Sequence, residues 1–112
     1  MNVRISALDN KTFVFGIEAF DTGELVELMD ARGNGFAIWG EGVVIPIAVV
    51  DERLLMEDWI TGDHLLAIEA HELGHIRTRS IEEPIAEREG IRLLDMMGHT
   101  TAADILRGRG VI

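Results

Sequence analysis

Four histidines and no cysteine leave imidazole nitrogens and carboxylate oxygens as the side-chain groups with which this 112-residue chain can hold a transition metal. Two of the histidines stand four residues apart in His71-Glu72-Leu73-Gly74-His75. On a helix that spacing sets the two imidazoles one turn apart on one face, where both can reach a single ion at ~2.0 Å. Glu72 lies one position further round. There a carboxylate can take a proton from a water polarised by the ion and later return it to a leaving amine, so Glu72 is the expected catalytic base and acid.

A catalytic zinc takes a third protein ligand and keeps one position open. Thr78 and Ile81 stand where the metzincin continuation requires Gly and His, so the third ligand must be sought elsewhere. The next segment supplies Glu82, Glu83, Glu87 and Glu89. Positions 83, 86, 87, 90, 94 and 97 share one helical face, on which Ala86 and Gly90 are small enough to let two helices approach closely. If the first helix runs to about Thr78 and the chain reverses through Arg79 and Ser80, a rise of ~1.5 Å per residue sets Glu87 level with the gap between His71 and His75. Glu83 then falls below His75. Glu87 is therefore the expected third metal ligand, with Glu83 the alternative, since a tighter turn exchanges the two. Glu83 otherwise completes a capping box with Ser80.

The remaining histidines read differently. His64 lies two turns before His71 and is expected to be a core or capping residue, and His99 a loop residue beyond the second helix. The chain has no tyrosine, so Arg77, Arg79 or a backbone amide is left to stabilise a transition-state oxyanion.

The elements that must position these groups fall into two halves. Val3–Leu8 and Thr12–Ile17 have the alternation and β-branched or aromatic content of strands. Asp21 or Thr22 can cap a helix carrying Leu25, Val26, Leu28 and Met29, ending at Arg32-Gly33-Asn34-Gly35. Phe36–Trp39 and Val43–Val50 flank Gly40-Glu41-Gly42 as a hairpin, in which Pro46 suits an edge or a bulge. An edge strand near a cleft can receive an extended peptide by strand addition.

From Asp51 the period turns helical: a short helix to Trp59, then a long one capped at Thr61-Gly62-Asp63, carrying Leu65, Ile68, Leu73 and Ile76 and apolar over much of its circumference, as a central helix is. A third helix starts near Ile81 and ends at Gly98, with Pro84 tolerated in its first turn. A last one runs from Thr100 or Thr101 to Leu106. The length and the 47% hydrophobic content suit one domain over residues 1–112.

Twenty acidic against ten basic residues give a net charge of −10, which repels phosphate backbones and argues against nucleic-acid partners. The longest apolar stretch, Val43–Val50, is too short to span a bilayer and the start lacks a signal-peptide core, so a soluble, cytoplasmic protein without a membrane partner is expected. Oligomeric state is not legible.

The motif at 71–75 followed by Ala86-Glu87-Arg88-Glu89-Gly90-Ile91-Arg92-Leu93-Leu94 resembles small gluzincins, in particular the minigluzincins and the metallopeptidase domain of the ImmA/IrrE group of phage and mobile-element regulators. In that group a helix carrying ExxA supplies the third zinc ligand. Glu87-Arg88-Glu89-Gly90 matches it with Gly for Ala, and Glu83-Pro84-Ile85-Ala86 matches it literally, so both glutamates stay in play. The resemblance covers residues 64–98, with a weaker suggestion that Ile45–Asp51 is the substrate-side edge strand. It implies a Zn2+ cofactor and an α+β, minimal zincin-like fold: a small antiparallel sheet with one N-terminal helix, then an active-site helix and an antiparallel zinc-ligand helix. It further implies hydrolysis of peptide bonds in a protein or peptide substrate. The alternatives are a zinc-stabilised binding or structural module with latent or no proteolytic activity, and a metal-dependent hydrolase of a non-peptide amide.

Overall fold

The computed structural model describes residues 3–16 and 35–109. They form an α+β arrangement in which a four-stranded sheet precedes three packed helices. The strands are β1 (Val3–Ile5), β2 (Phe13–Gly16), β3 (Gly35–Ile38) and β4 (Ile47–Val50), in the spatial order β1-β2-β4-β3. A 3₁₀ turn over Glu52–Met56 leads to α1 (Gly62–Thr78), α2 (Glu83–Met96) and α3 (Thr100–Arg109). The helix expected between Asp21 and Arg32 lies outside the described residues. Among the described residues no helix is long and apolar enough to cross a membrane.

The sheet is mixed, not antiparallel as expected. β1 pairs antiparallel with β2 and β3 antiparallel with β4, but β2 runs parallel to β4, with Val14 opposite Ala48. Local patterning identifies strands without assigning their partners. Residues 17–46 separate β2 from β4 in the chain, a length sufficient for the connection a parallel neighbour requires, whereas adjacency in sequence reveals only the antiparallel pairs β1–β2 and β3–β4. β4 is a central strand. Its residues Ala48, Val49 and Val50 are buried, as expected of a strand covered on both faces, whereas Val44 and Ile45 are exposed and belong to the loop over residues 39–46. Pro46 immediately precedes β4, where its missing N–H costs the ladder nothing. The edge strand on this side is therefore β3 rather than the 45–51 segment.

α1 is the spine of the molecule, packed on β3, β4, α2 and α3. Leu73, Leu93, Leu94, Ala102, Ala103 and Leu106 close its core against α2 and α3, and Val14, Ala48 and Val50 do so from the sheet. Small residues set the α1–α2 separation. A Cβ on Gly74 would lie 2.0 Å from the Ala86 carbonyl oxygen, and one on Gly90 2.7 Å from that of Ala70. Neither position has room for any side chain, so the two helix backbones touch. The Thr61 N–H donates to His64 Nδ1 over 3.1 Å, which makes His64 the capping residue of α1.

Across the sheet side, Glu69 of α1 is 1% exposed and accepts from Arg4 and, at 2.5 Å, from Ser6 Oγ. This pairing ties β1 to α1 across 65 residues of chain.

Candidate metal centre

α1 brings His71 and His75 onto one face with their rings 4.9 Å apart and nearly perpendicular. Both are buried, at 2% and 7% exposure, with Glu72 between them at 6%. The chain then leaves the helix through Arg79, which takes left-handed backbone angles (φ 53°, ψ 35°), and Glu82 is extended at φ −75°, ψ 121°. α2 begins at Glu83, two residues later than its sequence suggests. Extended chain advances ~3.3 Å per residue against ~1.5 Å for a helix, so this reversal carries Glu83 back up to the level of the histidines.

The residues that gather are consequently His71, His75 and Glu83. They offer ligand atoms all within 4.8 Å of one another, a group that can hold a metal ion. Glu83 Oε2 lies 2.5 Å from His71 Nε2, and its Oε1 lies 3.4 Å from His75 Nε2. Glu87, expected as the ligand, stands one turn further along α2, half-buried and outside this group. The Ser80–Glu83 capping box is replaced: Ser80 Oγ accepts from the Glu82 N–H at 3.1 Å, leaving the Glu83 carboxylate to the histidines.

The donor set fits an ion such as zinc. Three ligands at ~2.0–2.1 Å from a tetrahedral ion stand roughly 3.3 Å from one another, close to the spacing of His75 Nε2 and Glu83 Oε1. The Glu83 side chain is 40% exposed, which leaves it freedom to adjust its shorter approach to His71. His75 is oriented for such a role by its other nitrogen: Nδ1 donates to the Ser80 carbonyl over 2.7 Å, which presents the Nε2 lone pair towards Glu83 and His71. Trp39 stacks on the same ring, 5.7 Å away and 15° from parallel.

Glu72 and the triad line one pocket of about 140 Å³, roofed by the β3 edge through Gly35, Phe36 and Ala37 and rimmed by Trp39 and Ile81. The close approach of β3 depends on a missing side chain. A Cβ on Gly35 would fall 2.8 Å from the Val49 carbonyl oxygen, 2.9 Å from Ile68 Cγ2 and 3.4 Å from Glu72 Oε2. In the sequence Gly35 reads only as the end of a glycine-containing loop; its period and neighbours carry no sign that it sits over the Glu72 carboxylate.

Arg77 and Arg79, expected as oxyanion partners, do not line this pocket. Arg77 Nε donates to Glu89 Oε2 at 2.8 Å, and both arginines face a neighbouring cleft. His99 caps the last helix, its carbonyl accepting from the Ala103 N–H at 3.0 Å, away from the triad. Glu89, also considered as a ligand, is held by Arg92 and Arg77 instead. The Arg92 hydrogen bond, then that of Arg77, bring its carboxyl down to about 2 against the opposing effect of burial.

Compared with known proteins, the chain matches no family model, no curated protein and no solved structure.

Proposed function

We propose that this chain is a zinc-dependent metallopeptidase that hydrolyses peptide bonds of a protein substrate. The observation that carries this reading is the convergence of His71, His75 and Glu83 in the same pocket as the buried Glu72, beneath an edge strand. The N₂O donor set is the His₂Glu combination of catalytic zinc sites that keep one position open. A divalent ion held there supplies Lewis-acid polarisation of a water molecule and of the scissile carbonyl.

The protein's own residues do the rest. Glu72 takes the proton of the attacking water and delivers it to the amine as the C–N bond breaks. The β3 edge presents backbone N–H and C=O groups to an extended peptide. With neither Arg77 nor Arg79 lining the pocket, backbone amides of β3 or the Trp39 indole N–H serve the developing oxyanion. His71, His75, which Ser80 and Trp39 fix, and Glu83 would hold the ion in the pocket that Glu72 also lines.

The test is elemental analysis of the purified protein together with cleavage of unfolded casein by wild type and Glu72→Ala. One equivalent of zinc and cleavage lost only in the variant support the reading. Zinc without Glu72-dependent cleavage favours a zinc-stabilised binding module, and a protein that binds no metal removes both.

A further inference from the structure

The pocket around the triad, at about 140 Å³, has room for the reacting peptide group and little more. Residues flanking a scissile bond must therefore lie on adjoining surface. Three segments that build the pocket continue directly into a second, larger cleft of about 440 Å³. The end of α1 gives His75 to the pocket, then Ile76 and Arg77 to the cleft. The α1–α2 turn gives Ile81 to the pocket and Arg79 to the cleft. The 39–46 loop gives Trp39 to one and Ile45 to the other.

That cleft is cationic in a chain of net charge −10. Lys11, the only lysine, meets Arg77 and Arg79 there. Among the described residues neither Lys11 nor Arg79 makes an ion pair, while Arg77 is shared with Glu89. The one acid in the lining, Asp9, is turned inward to its own loop. It accepts from the Lys11 and Thr12 N–H groups, both at 2.9 Å, and from Thr12 Oγ1 at 2.5 Å, which fixes the turn that carries Lys11. The lining carries three cations against Asp9, and Glu89, which pairs with Arg77, is also held by Arg92, so the cleft keeps a net positive charge. A guanidinium and an ammonium without ion pairs among the described residues, Arg79 and Lys11, suit a carboxylate.

We infer that this cleft is a subsite for a carboxylate on the bound peptide, from an Asp or Glu side chain or from a chain terminus a few residues from the reacting bond. Its part in substrate choice rests on the peptidase reading; its binding of a carboxylate does not. The apolar stems of Ile45 and Ile76 would pack against the peptide while the cations select its charge.

The experiment is a two-dimensional NMR titration of the full chain, with and without zinc, using three probes: Ac-Ala-Ala-Asp-NH2, Ac-Ala-Ala-Asn-NH2 and Ac-Ala-Ala-Ala-OH. The inference expects amide shifts confined to Lys11, Thr12, Ile45, Ile76 and Arg79 with a carboxylate peptide and not with the Asn peptide. Which of the two acids acts identifies the side chain or the terminus as the source. Lys11→Met and Arg79→Gln, both at exposed positions, should each weaken binding about fivefold. Shifts equal for the Asn peptide, shifts unchanged in both variants, or none at these residues overturn the inference. Cleft shifts without zinc-dependent cleavage would sink the peptidase reading alone, and cleavage without cleft shifts would sink the subsite alone.

Discussion

Glu69 and Glu72 lie three residues apart on α1, both almost fully buried, yet they sit in opposite kinds of surroundings. Glu69 faces β1, where the Arg4 guanidinium and the Ser6 hydroxyl meet both of its oxygens. Glu72 faces a pocket beside two histidines and under a glycine of an edge strand. Burial alone therefore does not mark a carboxylate as catalytic. A buried charge met by a guanidinium and a hydroxyl serves the fold, whereas one that borders a cavity next to metal-ligand candidates is placed to meet what enters.

Exchanging the two roles by mutation would break this contrast most directly. Glu72→Gln should lower casein cleavage by about 10²–10⁴-fold while leaving zinc content and melting temperature near wild type. A variant that cleaves normally would show that Glu72 is structural like Glu69.

The next effect concerns the triad. Glu83→Gln should weaken zinc affinity by about 100-fold, measured by competition with a chelator, whereas Glu87→Gln should keep most of it. The reverse order would return the third-ligand role to Glu87.

On the structural side, Glu69→Ala strands the buried Ser6 hydroxyl and should cost about 1–3 kcal/mol in denaturant unfolding, with zinc content retained in the folded fraction. Loss of zinc without loss of stability would mean that the two carboxylates are coupled through α1.

The smallest effect is electrostatic and lies at the exposed side of the same helix pair. Glu89 is held at about 2, below its ordinary 4.5, by Arg92 and Arg77. A carboxyl depressed on folding contributes stability that is full above its unfolded value and fades as pH falls from there through the folded one. Unfolding midpoints should thus drop more steeply between about pH 4.5 and about pH 2 in wild type than in Glu89→Gln. Equal slopes would show that solvent screens the pairing.

Much of the site was legible because it is local. The i, i+4 spacing of His71 and His75 and the position of Glu72 follow from helical geometry, and α1 ends at Thr78, as expected. The smallness of Ala86 and Gly90 likewise announced a close helix contact that the carbonyl distances bear out. The placement of Glu83 against Glu87 was not legible in this way. It turns on three non-helical residues after Arg79, and a shift of two residues in where α2 begins moves its carboxylates by more than half a turn.

What the sequence determined by itself is what single helices contain: two imidazoles one turn apart with a carboxylate beside the first, and on the next helix Ala86 and Gly90, small enough for a close approach. The tertiary structure decided everything that joins distant segments. It ran β2 parallel to β4, made β3 rather than 45–51 the edge, paired Arg4 with Glu69, drew Lys11 towards Arg77 and Arg79, and brought Glu83 to the histidines. The physical reason is common to all of these. Helical spacing is set by backbone hydrogen bonds four residues apart, whereas these contacts depend on which surfaces pack and how far each connecting turn carries the chain.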